Sequence, residues 1–379
     1  MAETPIPITP LHPPFSWSDR IKFALGGYAL YTLGKLGHYL YRLKGLFGAP
    51  ANGPDLVKRY ACRPMLEVLF FYPPSYDKAA GPEKQKLPTL LTIHGGGFVI
   101  GNPEDTNTWN HEFVRQKHET FVVSLNYRKA PRHPFPTAIH DLEALTLAIL
   151  GDKSLPIDLD QVAIGGWSAG GNLAMAVSSL PSMQGRFRAL VPVYPVTDFS
   201  IRTPEKILTR HYKPDIKGFR GRLRDFLSPV VPTFNWAYLP KNATPADVAS
   251  PLLSTTHIPK ESLPLYVFNI SCELDMLSHE AWVMMSKLAG RPVPAEPKSG
   301  SSEAHAPGAL ILDDERFAFE ERTENSSYKW LLVPDALHGF DMTFVHRFKK
   351  DPLYEDHMLK KGLCMALINE WLFSGPFKA

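Results

Sequence analysis

From residue 65 onward the chain alternates strand-length apolar runs with helical stretches, and this alternation narrows its folds more than any other feature. The runs are MLEVLFFY (65–72), LPTLLTIH (87–94), ETFVVSLNY (119–127), QVAIGGW (161–167), ALVPVYPV (189–196), LPLYVFNIS (263–271) and YKWLLVPD (328–335). They are continuously apolar rather than alternating, as expected of parallel strands covered on both faces. Helical patterns separate them at TWNHEFVRQKH (108–118), AIHDLEALTLAIL (138–150), GGNLAMAVSSL (170–180) and HEAWVMMSKLAG (279–290), and YEDHMLKKGLCMALINEWLF (354–373) follows the last. Such a pattern implies one α/β domain. Pro192 is awkward inside ALVPVYPV, because proline cannot donate to a strand ladder. Two stretches break the alternation. Residues 196–262 have no strand pattern and read as an inserted helical layer, whereas the Pro/Gly/Ser-rich residues 291–328 read as a surface loop.

The N-terminal residues pose a separate question. The first 20 are proline-rich and lack the basic start and apolar core of a signal peptide. The following IKFALGGYALYTLGKLGHYLYRLKG is apolar and aromatic, but only 12 residues separate Lys22 from Lys35. A bilayer span needs about 20. Residues 1–60 are therefore expected to form a cap over the rest of the chain, with peripheral membrane contact as the competing expectation, and residues 61–379 the main domain. A net charge of +3 gives no argument for nucleic acid. Cys62, Cys272 and Cys364 are an odd, scattered set. They fit neither a disulfide framework nor a cysteine zinc site, and they suit a cytoplasmic, reducing compartment. The near-matches to HExxH at His111 and His279 lack the second histidine, and no phosphate-binding glycine loop occurs, so neither metal nor cofactor is expected. The basic stretch 210–224 reads as a solvated face.

The chemistry concentrates at strand ends. Gly166-Trp167-Ser168-Ala169-Gly170 lies between a strand and a helix, where a tight turn exposes the serine and the helix N-terminus faces it. A serine hydroxyl needs a base, and the base needs an orienting acid. Asp275 follows one later strand and His338 the last, both where ligands bind in open α/β sheets. Glu273 is the alternative acid. The glycines of IHGGGFVIGN (93–102) then acquire a purpose. Attack on a carbonyl makes an oxyanion, which backbone N–H groups free of side chains can approach. Gly96, Gly97 and Ala169 are the expected donors, Gly95 allows the turn, and His94 shapes the loop.

Together HGGGF (94–98), NYRKAPRHPFPTAIHD (126–141), GWSAGG (166–171), SPLL (250–253), DML (275–277) and HGF (338–340) resemble the hormone-sensitive-lipase-like branch of the α/β-hydrolases, over roughly residues 65–375. The resemblance implies a mostly parallel eight-stranded sheet with helices on both faces. It also implies a helical cap from the N-terminus plus the 196–262 insertion, and hydrolysis of small-molecule carboxylic esters. Trp17, Tyr28, Phe219 and Trp236 are aromatics of that cap available to line an apolar acyl pocket. The usual YRLAPE reads Tyr127 to Arg132 here, with lysine and arginine in place of leucine and glutamate. His279 likewise replaces the second aspartate of DPLxD. An acyltransferase or lactone-processing enzyme could use the same triad. A non-catalytic small-molecule receptor on this fold would be expected to have lost a triad member, and here all three are present.

Overall fold

The computed structural model describes residues 16–45, 52–216, 218, 220–241, 243–293, 299–342 and 352–378. The described residues include nine strands: β1 (Leu56–Arg59), β2 (Glu67–Phe71), β3 (Leu87–Ile93), β4 (Phe121–Leu125), β5 (Ile157–Trp167), β6 (Ala189–Val193), β7 (Tyr266–Cys272), β8 (Ala318–Arg322) and β9 (Ser327–Val333). They form one sheet in the order β1-β2-β4-β3-β5-β6-β7-β9-β8. The neighbours from β4 to β9 pair in parallel, and antiparallel strands finish both edges. The sheet therefore has nine strands where the resemblance implied eight.

Two expected boundaries move. β1 lies inside the segment assigned to the N-terminal cap, so the main domain begins before residue 61, at Leu56. Its LVKR alternates half-buried with exposed residues and is too short and polar to read as a strand. Similarly, 291–328 is not wholly a surface loop. β8 lies within it, hydrogen-bonded to β9, with Phe319 buried against Trp330.

Helices α2 (Asn107–Phe113) and α9 (Pro352–Ser374) cover one face, where Trp109, Phe113, Met365, Ile368 and Trp371 join the core. Helices α3 (Thr137–Leu150), α4 (Ala169–Ser178) and α8 (Ser278–Ala289) cover the other. Both faces of the central strands are thus dry, which is why those strands read as unbroken apolar runs. Pro192 is accommodated in central β6, which pairs with β7 at Leu190 and Val193 but not between them.

Between β6 and β7 the chain forms short helices, α5 (Thr203–Leu208), α6 (Val231–Tyr238) and α7 (Pro245–Val248). Asn172 of α4 fastens both ends of this insertion, its amide donating to Val196 O at 2.9 Å and Leu253 O at 2.8 Å. The N-terminal helix α1 (Trp17–Gly45) lies on α6. Small residues permit the approach: a Cβ at Gly26 would sit 3.4 Å from Thr233, and one at Gly27 3.4 Å from the Trp236 ring. At Gly34 the helix reaches Ile100, beside the glycine loop. No described helix is long and apolar enough to cross a membrane.

Candidate active site

The sheet delivers the expected residues to the same ends of three strands. Ser168 follows β5, Asp275 lies just beyond β7, and His338 lies in the turn after β9. Ser168 has φ 54°, a conformation costly for a residue with a side chain. It is held by its N–H to Val193 O at 2.9 Å and heads α4, whose dipole and first-turn N–H groups face the site.

The imidazole of His338 donates from Nδ1 to Asp275 Oδ2 at 2.6 Å. That bond assigns the proton to Nδ1 and leaves Nε2 as the basic nitrogen. Burial pushes the His338 pKa down. Asp275, with contributions from Asp225 and Asp341, more than offsets this, and the net shift is upward from 6.5. Asp275 also accepts the Leu277 N–H at 3.0 Å, so its carboxylate is held from two sides. Glu273 has a different task. It accepts Lys213 Nζ at 2.6 Å and the Asp335 N–H at 2.8 Å, and Lys213 Nζ also reaches Asp335 Oδ1 at 2.7 Å. Among the described residues, Glu273, His305 and Asp335 are the one group that could gather around a metal ion, and the lysine ammonium already bridges its two carboxylates.

The glycine loop stands against the serine turn. A Cβ on Gly95 would come within 2.9 Å of Trp167 O and 3.3 Å of Ser168 Cβ. Gly96 and Gly97 have φ of 114° and 57°, in the region that favours glycine. Neither N–H donates a backbone hydrogen bond among the described residues. His94 is buried, stacks on Tyr127 with centroids 4.5 Å apart, and bonds through Nδ1 to Gly95 O at 2.7 Å. Lys129, in place of the family's leucine, turns its amine back to Asn126 Oδ1 at 2.6 Å, and burial lowers its pKa to about 7.

Several neighbours were not singled out in the sequence. Asp341 is buried and accepts Trp167 Nε1 at 2.9 Å and the Tyr194 hydroxyl at 2.5 Å, joining the residue before Ser168 to the ring beside His338. From the insertion, Phe234 packs so closely on Gly97 that a Cβ there would lie 2.3 Å from its ring, and Phe226 lies 6.5 Å from His338. Trp17 and Tyr28, which looked available to line an apolar pocket, are exposed instead. Phe219, another such aromatic, lies outside the described residues. The basic stretch 210–224 is a solvated face only in part, with Arg222 and Arg224 exposed. Arg210 and Lys213 are buried, and Arg220 pairs with Asp356 at 2.7 Å. A crevice of about 510 Å³ between α1 and β1–β2 is lined by none of the three strand-end residues.

The alpha/beta hydrolase fold family matches residues 90–307, more than half of the chain. The chain belongs to that family. It is 33% identical over 169 residues to the ethyl acetate hydrolase of Pseudomonas putida, covering 42% of this chain and 51% of that one. It is 31% identical over 214 residues to tuliposide A-converting enzyme b1 of Tulipa gesneriana, covering 51% of this chain and 56% of the other. The chain thus spans about half the length of these curated relatives. Among solved structures, a hyperthermophilic esterase of Pyrobaculum calidifontis superposes with a TM-score of 0.59 at 19% identity, over 94% of this chain and 92% of that one.

The contact between the β3 end and the serine turn makes a sharp prediction. A Cβ on Gly170 would sit 2.1 Å from Ile93 O and 2.5 Å from His94 O, both backbone atoms that cannot swing away. Gly170→Ala is expected to lower Tm by several degrees, roughly the effect of 1–3 kcal/mol, and to slow Ser168 labelling by a serine-directed phosphonate. Wild-type Tm and labelling rate would show that the two backbones are not in contact.

Proposed function

We propose that the protein is a serine hydrolase that cleaves carboxylic esters of small to medium apolar substrates through an acyl-Ser168 intermediate. The observation that carries this reading is the 2.6 Å bond from His338 Nδ1 to Asp275, at the same sheet end as a serine held at φ 54°. Ser168 Oγ attacks the ester carbonyl while His338 Nε2 takes its proton, and Asp275 stabilises the resulting imidazolium. The oxyanion accepts from the N–H groups of Gly96, Gly97 and Ala169. Collapse expels the alcohol, which takes the proton from His338. Water then repeats the sequence on the acyl-serine and releases the acid. Phe226 and Phe234 give the surroundings the apolar character that an acyl chain needs. The name of the Pseudomonas putida relative supports ester hydrolysis. The tulip relative, named for converting tuliposide A, supports a second reading in which an acceptor other than water takes the acyl group. Product analysis with and without an added alcohol separates the two.

Ser168→Ala and His338→Ala are expected to lower kcat on p-nitrophenyl acetate by about 10⁴–10⁶, and Asp275→Asn by somewhat less. Near-normal hydrolysis by Ser168→Ala would overturn the assignment, and a larger loss from Glu273→Gln than from Asp275→Asn would reassign the acid. The base must be neutral to act. Because its pKa is raised, kcat/KM should fall as pH drops through a midpoint above 6.5.

The N-terminal helix has two faces, and we assign each a task. Its glycine face packs on α6 and Ile100 and forms, with the insertion, a cap beside the site. On its outer face Trp17 is 81% exposed, Leu25 69% and Leu33 63%. Arg20, Lys22 and Lys35 accompany them against the single acid Asp19, whereas Arg42 turns inward to Glu67 at 2.6 Å. That combination fits peripheral contact with an anionic lipid surface. Deleting residues 1–46 should impair turnover of longer esters more than of acetate and should abolish co-sedimentation with phosphatidylserine vesicles. An unchanged chain-length profile would reduce the helix to an anchor, and unchanged vesicle binding would remove the lipid assignment.

A further inference from the structure

The insertion between β6 and β7 turns charged side chains inward, and they converge on one short segment. Lys213 Nζ donates to Glu273 Oε2 at 2.6 Å. Arg210 Nε donates to Leu274 O at 2.9 Å. Asp225 Oδ2 accepts the Met276 N–H at 3.0 Å. Residues 273, 274 and 276 are therefore each held by a different buried side chain of the insertion, and the position they surround is Asp275. Arg210 Nε lies 3.4 Å from Asp225 Oδ2, so the two form an ion pair across the segment. Lys213 extends the contact to the histidine side through Asp335 Oδ1 at 2.7 Å, on the turn between β9 and His338.

We propose that Arg210, Lys213 and Asp225 are positioning residues that make the insertion a part of the acid–base machinery, so that Asp275 is presented to His338 only while the insertion is seated. This rests on the serine-hydrolase reading for its consequence in rate, but not for its electrostatics. Asp225 is the most informative member. It is buried beside Asp275 and adds a second carboxylate to the surroundings of His338. The charged and titratable groups around that imidazole are Asp275, Asp225 and Asp341, with Arg210 paired to Asp225 and the Tyr194 ring 4.6 Å away. Asp225 thus favours the protonated imidazole at the same time as it fixes the backbone after Asp275.

A side chain that only held the fold together would change stability and leave the titration of His338 alone, so the test separates charge from support. Asp225→Ala removes both the carboxylate and the acceptor for the Met276 N–H. Asp225→Asn keeps an acceptor and removes the charge. For Asp225→Ala, kcat on p-nitrophenyl acetate should fall roughly 10–100-fold, with KM changed by less than about threefold. Asp225→Asn should recover most of that loss, while the acid limb of kcat/KM moves to lower pH because His338 has lost a facing carboxylate. Proton NMR titration of His338 in wild type and Asp225→Asn, assigned by its loss in His338→Gln, reads the same shift without substrate. A lower midpoint in Asp225→Asn is expected. An unchanged midpoint, or wild-type kcat in a folded Asp225→Ala, overturns the proposal. Should Asp225→Ala fail to fold, the Asp225→Asn midpoint decides alone. A lowered midpoint in a protein that hydrolyses no ester would sink the serine-hydrolase reading and leave this inference standing.

Discussion

The backbone at the end of β3 lies directly on the turn that carries Ser168, with no side chain between them. A Cβ at Gly170 would meet Ile93 O at 2.1 Å, one at Gly166 would meet the same carbonyl at 2.7 Å, and one at Gly95 would meet Trp167 O at 2.9 Å. Such contact is open only to glycine, and it sets how the rest of the site is arranged. It seats the glycine loop against the serine turn, and among the described residues the N–H groups of Gly96 and Gly97 donate no backbone hydrogen bond. Fixed donors of this kind need no reorganisation as charge develops, which is why they suit an oxyanion. The parallel pairing of β3 with β5 carries the register into this contact, with Ile93 opposite Gly166.

The other half of the site is held by charge. The segment around Asp275 and the turn before His338 receive side chains from the insertion and backbone N–H groups from the 291–328 stretch. Ser301 N–H donates to Glu273 Oε1 at 2.7 Å, and His305 N–H to Asp335 Oδ2 at 2.6 Å. Buried charges are costly unless paired and hydrogen-bonded. Here Lys213 donates to both Glu273 and Asp335, at 2.6 and 2.7 Å. Asp341 connects the two halves, taking a hydrogen bond from Trp167 on the serine side and one from Tyr194 on the histidine side.

How much of this could be read from the sequence follows from how local each signal is. The central strands were legible because burial on both faces leaves an unbroken apolar run. The serine turn and the glycine loop were legible because close backbone approach demands a residue type. β1 and β8 were not, since LVKR and AFEER each carry charged residues on an exposed edge and look like loop. The inward turn of Arg210, Lys213 and Asp225 was equally hidden. A charge run looks the same in sequence whether it meets water or buried partners, and these partners lie 51 to 122 positions away along the chain. The nearest is Met276 to Asp225 (276 − 225) and the farthest Asp335 to Lys213 (335 − 213). Phe234 displaced the expected pocket aromatics because its place depends on how α6 docks on the glycine loop.

Ser168 must be an activated nucleophile rather than a serine in a strained turn, and one measurement addresses that directly. The intact protein is treated with diethyl p-nitrophenyl phosphate, and its proteolytic peptides are weighed by mass spectrometry. One diethylphosphoryl group per chain on the peptide containing Ser168, absent after prior denaturation and in His338→Ala, is the predicted result. Labelling spread over several residues, or unchanged labelling of Ser168 in His338→Ala, would contradict it.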